Sequence, residues 1–493
     1  MSGRPLALAI ALALAATCAA AQDRPTEDSL FGGEPVSAAP DAGLAAAAAP
    51  PDAGAATERT RDEDQLSGPA SASKFDTREE KEDPLKVGGI LYLRTAATVS
   101  EGNHAGDVGL AAPSLMDGYF DARPSERVRG MALARLRYDP TLAAGASASP
   151  LAVPGAPATP NPAVALDQLW IRFDIARTVF VTAGKQHVKW GASRFWNPTD
   201  FLTPERKDPL AAFDARLGAT MLKVHVPWEA RGWNFYGVGL LDNAGPASTL
   251  SRLGGAARAE VVVGSTEVGA DAVFVGGRRP RFGVDLSSAL GPIDVYGEVA
   301  LRSGADFRVW KLSRDVDWSD PADAVGAFEA QTPQGVQAQA SGGANFTFNY
   351  TDKNALTVGV EYFYNPVGAS SRAFYPWLIF QNQYQPFYVG QHYAALYALA
   401  SGLPGNLTNL TLSLANIGNL TDKSFVSRLD AFVLLLSYLS VELYTAVHYG
   451  DKGGELRFAL DLPPVPVAPN VTTPAISLPA PVFELGAGLR VSL

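Results

Sequence analysis

Residues Phe483 to Leu493 read FELGAGLRVSL, and their alternation has no exception. Phe483, Leu485, Ala487, Leu489, Val491 and Leu493 are apolar, while Glu484, Gly486, Gly488, Arg490 and Ser492 are polar or glycine. Successive side chains of a strand point to opposite faces, so one face of this segment suits hydrocarbon and the other water. Its length matches the ~9 to 11 residues that a tilted strand needs to cross a bilayer. A segment of this kind predicts a transmembrane β-barrel. It is the expected recognition signal for barrel-assembly machinery, and it has to descend to the periplasm and pair with the first strand near Val87 to seal the sheet edge.

The same texture recurs upstream. Val87 to Val99 places Leu91, Leu93 and Ala97 opposite Tyr92 and Arg94. Leu166 to Ile175 sets Leu169, Ile171, Phe173 and Ile175 against Gln168, Arg172 and Asp174. Ile293 to Arg302 sets Ile293, Val295, Val299 and Leu301 against Asp294, Glu298 and Arg302, and Leu356 to Tyr364 sets Leu356, Val358, Val360, Tyr362 and Tyr364 against Thr357 and Glu361. Charges gather on one face, as a water-filled lumen requires. Connectors at Asp174 to Thr178, Thr351 to Asn354 and Tyr438 to Ser440 read as tight turns. Longer ones near 100–125, 191–215, 303–336, 365–388 and 450–482 read as loops on the opposite side. With weaker segments at Thr141 to Val153 and His392 to Ser401, the predicted fold is all-β. It is an antiparallel up-and-down transmembrane barrel of about 18 strands, within a range of about 14 to 18, spanning 85–493.

The N-terminus supplies a matching export signal: Arg4, the apolar run Leu6 to Ala16, and Ala19-Ala20-Ala21 before Gln22. Residues 1–21 are read as a removed signal peptide. The single cysteine, Cys18, lies inside it, so disulfides are excluded from the mature chain; a lipoprotein reading of Cys18 meets a poor match at Ala15-Ala16-Thr17. Residues 22–84 hold fifteen Asp and Glu against six Lys and Arg, which accounts for most of the formal charge of -10. Rich in Ala and Pro and without periodicity, they are read as a disordered periplasmic tail, either a spacer or a tether through Ser29-Leu30-Phe31-Gly32-Gly33.

Aromatic residues collect near segment ends, at Trp228 and Trp233 and again at Tyr362, Phe363, Tyr364, Phe374, Tyr375 and Trp377. They are expected to form an interfacial girdle. The alternative is a packed aromatic cluster.

The most distinctive stretch is Gly184 to Pro209, GKQHVKWGASRFWNPTDFLTPERKDP. It starts as a strand and runs into a long loop that carries Lys185, His187, Lys189, Arg194, Arg206 and Lys207 beside Trp190, Phe195 and Trp196. Long loops with rigid aromatic side chains are seldom passive. One expectation is that it folds into the barrel mouth and narrows the pore, its cations favouring anionic solutes. The other is that it packs on the rim, with its basic residues on lipid phosphates. Arg127, Arg129, Arg135 and Arg137 share a face of Glu126 to Tyr138, where they either set up a field across the pore or pair with wall acids.

The positions Gly184, Lys185, Gln186, Trp190, Gly191, Trp196, Asn197, Pro198 and Asp200 resemble an element of a poorly characterised group of outer-membrane barrels related to porins and alginate-export-type channels. The resemblance extends to the segment order from Leu85 to Leu493. It implies a monomeric barrel and solute passage. Two departures are the terminal Leu493, where an aromatic residue is usual, and the absence of a dense arginine lining suited to sugar acids.

The expected function is therefore a porin-like outer-membrane channel for passive passage of small hydrophilic solutes, biased toward anions. Its expected surroundings are outer-membrane lipid and lipopolysaccharide, with the N-terminal tail in the periplasm. Pore candidates are Lys185, His187, Lys189, Arg194, Trp196, Arg206, Lys207, Arg129 and Arg135. The competing readings are a structural or adhesive barrel with a plugged lumen and a barrel hydrolase. The histidines His104, His187, His225, His392 and His448 fall in no metal-ligand spacing, and no nucleophile elbow or phosphate loop occurs. His448 with Glu442 and Tyr444 is the nearest approach to a catalytic group. No metal, cofactor or nucleic acid is expected; the chain is acidic and carries no nucleic-acid-binding signature.

Overall fold

The computed structural model describes residues 84–493 except 143–159, 204, 242–252, 319, 325, 352–353, 404–408, 465, 469–470 and 473–474. The signal-peptide and tail readings, and most of Thr141 to Val153, lie outside the described residues. Thr141 and Leu142 themselves sit in a turn.

Eighteen antiparallel strands close into one barrel. They are β1 (Leu85–Ser100), β2 (Ser114–Ser125), β3 (Val128–Tyr138), β4 (Ala163–Ile175), β5 (Val179–Gln186), β6 (Ala219–Trp228), β7 (Trp233–Leu240), β8 (Gly254–Val263) and β9 (Thr266–Val275). The second half holds β10 (Arg281–Leu290), β11 (Ile293–Ser303), β12 (Val336–Asn349), β13 (Ala355–Tyr364), β14 (His392–Ser401), β15 (Leu410–Asn419), β16 (Ser424–Leu436), β17 (Leu439–Gly450) and β18 (Pro481–Ser492). Each strand pairs with its sequence neighbours, and β18 pairs with β1 from Ile90↔Ser492 to Val99↔Phe483. The expected seal therefore forms a few residues beyond Val87, which pairs with Phe120 of β2. Closure satisfies every ladder and leaves no edge, the condition for strands in lipid.

The alternation read from the sequence is the alternation of faces. On β13 Val358 and Val360 are 41% and 45% exposed, while Thr357 and Glu361 on either side of them are buried. On β18 Phe483, Leu485 and Leu489 face outward. Gly486 and Gly488 face the lumen, where Tyr444 and Tyr92 from neighbouring strands close over them. A Cβ at either position would meet those rings, so the glycines admit the large lumenal tyrosines.

All strand-joining turns on the side of Leu85 and Leu493 are short, down to two residues at Glu126-Arg127 and Ser437-Tyr438. The longest connections, 187–218, 304–335, 365–391 and 451–480, lie at the other end. One expected loop is corrected. Of 100–125, only 101–113 connects wall strands, with Gly109–Ala111 adding a short strand against β1, because Ser114–Ser125 is β2, with Leu115, Asp117 and Asp121 inward and Met116 and Phe120 outward. The apolar Leu115 on the inward face and Ser114 and Gly118 on the outward face mask the alternation. The predicted aromatic girdle divides likewise: Trp228, Tyr362 and Tyr364 are exposed, whereas Phe363, Phe374 and Tyr375 are buried on the inner side.

Candidate functional site

The connection from β5 to β6, residues 187–218, turns inward. One wall carboxylate fixes both its ends: Asp167 of β4 lies 2.8 Å from His187 Nε2 and accepts the Gly218 N–H at 3.1 Å. Arg135 of β3 holds Asp167 in place at 3.1 Å and forms a bidentate pair with Asp117 of β2. The loop cannot leave this point without separating a buried ion-paired cluster.

From there the chain crosses the lumen. Trp190 is buried against Met221, Val238, Ala256, Val273 and Ala300, and Arg258 approaches its ring at 5.8 Å. Gly191 follows with φ +97°, and a Cβ there would come within 2.5 Å of Glu298 Oε2, so this turn requires glycine. The chain then wraps round two acids of the far wall. Glu298 of β11 accepts the backbone N–H groups of Ser193 and Thr199 at 3.0 Å each, together with the Thr199 hydroxyl. Glu361 of β13 accepts N–H groups from three consecutive residues, Arg194 at 2.8 Å, Phe195 at 3.1 Å and Trp196 at 2.9 Å, and the Tyr296 hydroxyl at 3.0 Å. A carboxylate offers about four lone-pair sites, and consecutive N–H groups form a concave anion cradle that matches them. The loop backbone, which has few partners of its own, is thus satisfied by side chains of the wall.

Aromatic packing completes the anchorage. Trp196 stacks on Phe363 at 5.6 Å and donates its indole N–H to the Phe387 carbonyl at 2.9 Å. Arg194 lies over Tyr397 at 4.6 Å. The returning limb is tied by Lys207 Nζ to the Arg194 carbonyl at 2.6 Å and by Arg428 of β16 to the Leu210 carbonyl at 2.8 Å. Phe213 meets Tyr92 of β1 edge to face, and Arg135 and Arg137 both donate to the Ala215 carbonyl. Arg216 bridges Asp200 and Asp214. Burial alone would raise Asp214, but the Arg216 contacts hold it down to about 2.

A second inserted group comes from the loop 451–480. Its Glu455 is buried and accepts from Tyr393 at 2.6 Å and Asn419 at 2.7 Å, and also from the Phe387 N–H. Its own N–H donates to Asp422 at 2.6 Å. Burial, reinforced by the charge of Asp422, pushes the Glu455 carboxyl up to about 8.

The nine candidate pore residues divide among several roles. His187, Arg194, Trp196, Arg206 and Lys207 belong to the inserted loop, where Arg206 lies 5.3 Å from the Tyr388 ring, and Lys189 is half-buried at its start. Arg129 and Arg135 are lumenal and paired with wall acids, Arg129 with Asp121 at 2.8 Å. Lys185 is paired with Leu169 on the outward side of β5 and does not face the lumen. His448 lies 3.3 Å from Glu484 and 2.6 Å from the Leu456 carbonyl, contacts that steady the loop 451–480. Sequence reading placed Glu298 and Glu361 on the lumenal face but gave no sign that they hold the loop; their partners are about a hundred residues or more away.

No family model matches the chain, and no curated protein matches it. Among solved structures, OccAB1 of Acinetobacter baumannii is similar at 10% identity, with 83% of this chain and 96% of that one covered and a TM-score of 0.49. OprB of Pseudomonas putida is similar at 10% identity over 83% and 94%, TM-score 0.46. A Rhodopseudomonas blastica porin mutant gives 10% identity over 83% and 100%, TM-score 0.39. Likeness at this level transfers no residue roles to the present chain.

Proposed function

We propose that the protein is an outer-membrane channel through which small hydrophilic solutes pass passively, and that the loop 187–218 is its constriction. The observation that carries this reading is the path of the loop. It is stapled at Asp167, crosses to Glu298 and Glu361, and returns past Arg428 to Arg135, so it occupies the lumen at one level instead of capping the mouth. Barrels of about 16 to 18 strands are wide enough to hold an aqueous channel. An inserted loop reduces that width to something that can discriminate between solutes. A bias toward anions follows from Arg206 and the wall arginines near it, since rings of guanidinium favour anions at a pore.

Planar-bilayer recording of the purified barrel tests the reading. Stable single-channel steps are expected, and removal of 192–215 should raise conductance several-fold while heat-modifiable gel mobility is retained. A barrel that conducts nothing with the loop present and large currents without it would indicate a plugged lumen. The burial of Trp196 and Phe195 among wall aromatics makes that structural or adhesive role the second reading.

A further inference from the structure

Arg281 of β10 and Arg302 of β11 are direct cross-strand partners. Their neighbours Phe282 and Leu301 are exposed on the lipid face, so both arginines project into the lumen at the long-loop end. Like charges directly opposed on a ladder are destabilising, and a barrel wall retains such a pair at a cost. Among the described residues only one of the two has an acid at contact distance: Arg281 pairs with Asp306 at 3.0 Å, and Asp306 is shared with the Arg279 N–H at 3.1 Å. Arg302 lies over the Phe201 ring at 5.8 Å, and its Nε is buried without a hydrogen-bond partner among the described residues.

The inserted loop brings a third guanidinium within electrostatic reach of this pair. Arg206, five residues beyond Phe201 in sequence, sits against the Tyr388 ring, and burial together with the charges of Arg281 and Arg216 holds it below its ordinary value. Elsewhere on this wall the arrangement is different. Arg258, also lumenal, is surrounded by Glu260, Asp271 and Asp285 at 2.8, 3.2 and 2.6 Å. The wall neutralises an arginine where neutrality serves it, and at Arg302 it does not.

We propose that Arg206, Arg281 and Arg302 form a saturable subsite for the oxyanion of a passing solute, a carboxylate or a phosphate group. The planar guanidinium fork donates two parallel N–H bonds to such a group, and its charge cannot be lost by deprotonation. A bound oxyanion would relieve the repulsion of the cross-strand pair and supply a partner to Arg302 Nε. Phe201 and Tyr388 shield the site from bulk water, which strengthens each contact. This goes beyond a diffuse anion preference, and it rests on the channel reading only for its consequence, since binding itself needs no current.

Isothermal calorimetry on the detergent-purified full-length barrel tests the subsite, with succinate and inorganic phosphate as separate titrants and glucose as the neutral control. Saturable heats are expected with at least one oxyanion and none with glucose, and the succinate and phosphate arms tell which group fits. Arg302→Gln and Arg206→Gln should each weaken binding about ten-fold or more, whereas Lys311→Gln, which removes an exposed cation from the same mouth, should leave it within about two-fold. Retained heat-modifiable mobility shows that each variant is folded. Equal losses in Arg302→Gln and Lys311→Gln, or no saturable heat with either oxyanion, would overturn the proposal. Saturable binding in a barrel that passes no current would leave the subsite standing and remove the channel.

Discussion

The barrel wall and the loop inside it are held by opposite means. Every wall strand shares a continuous backbone ladder with two neighbours, so closure is spread over well over a hundred hydrogen bonds of similar kind, an order of magnitude expected at about one per residue. The loop 187–218 has few backbone bonds of its own, such as Asp200 N–H to Asn197 and Ala211 N–H to Asp208, each at 3.2 Å. It depends on Asp167, Glu298 and Glu361. Stability of the wall is therefore distributed, and seating of the loop leans on a few lumenal side chains, three carboxylates foremost.

The largest effect should come from the two far-wall acids. Glu361→Ala leaves three buried N–H groups and the Tyr296 hydroxyl without their acceptor, and each orphaned buried donor costs about 1 to 3 kcal/mol. Adding Glu298→Ala removes the acceptor for Ser193 and Thr199. The double variant is expected to release the loop and raise single-channel conductance at least two-fold, with noisy openings, while the barrel still resists detergent until boiled. Unchanged conductance with intact mobility would show that aromatic packing alone seats the loop.

This contrast also explains what could be read in advance. The strands were legible because their message is repeated: alternation at Ile293–Ser303 or Pro481–Ser492 recurs with a period of two, and membrane and water each act on one face. β2 is masked where Leu115 faces inward and Ser114 and Gly118 face outward, which blurs the contrast between faces. The loop was conspicuous for its length and tryptophans, and its unusual Gly191 marks a real conformational need. Its anchors were not legible. Glu298 and Glu361 look like any lumenal acid, and the pairing of Arg281 with Arg302 depends on strand register, which alternation does not set by itself.

A second inserted segment sharpens the comparison through pH. Glu361 binds backbone donors of a loop that is fixed at both ends, whereas Glu455 is carried by the loop 451–480 itself, beside Asp422. Because its carboxyl is raised from 4.5 to about 8 when seated, the seated loop binds a proton that the released loop does not. Seating is strongest below about pH 4.5 and weakens by up to about 1.4 kcal/mol per pH unit until about pH 8, where the seated form also ionises and the loss stops growing. Trypsin cleavage at Lys452 and Arg457, corrected for the protease's own pH response, should therefore be several-fold faster at pH 9 than at pH 5. Glu455→Gln should flatten that dependence. A wild-type barrel cut equally fast at both values would mean that Glu455 does not govern the seat.

The smallest effect belongs to the wall. Leu485 points to lipid from β18 and pairs through its backbone with Ala97 of β1 and Thr445 of β17. Its side chain exchanges one hydrocarbon surrounding for another on folding within the bilayer, so burial from water is not what fixes its position in the inserted barrel. Leu485→Ala deletes apolar contact but no ladder bond, no lumenal group and no loop anchor. It should change midpoint unfolding temperature by only a few degrees and leave conductance, oxyanion binding and trypsin sensitivity unaltered. A collapse of the barrel on this substitution would contradict the distributed character of the wall, because it would place closure on one side chain of one strand, where the inserted loop leans on a few carboxylates.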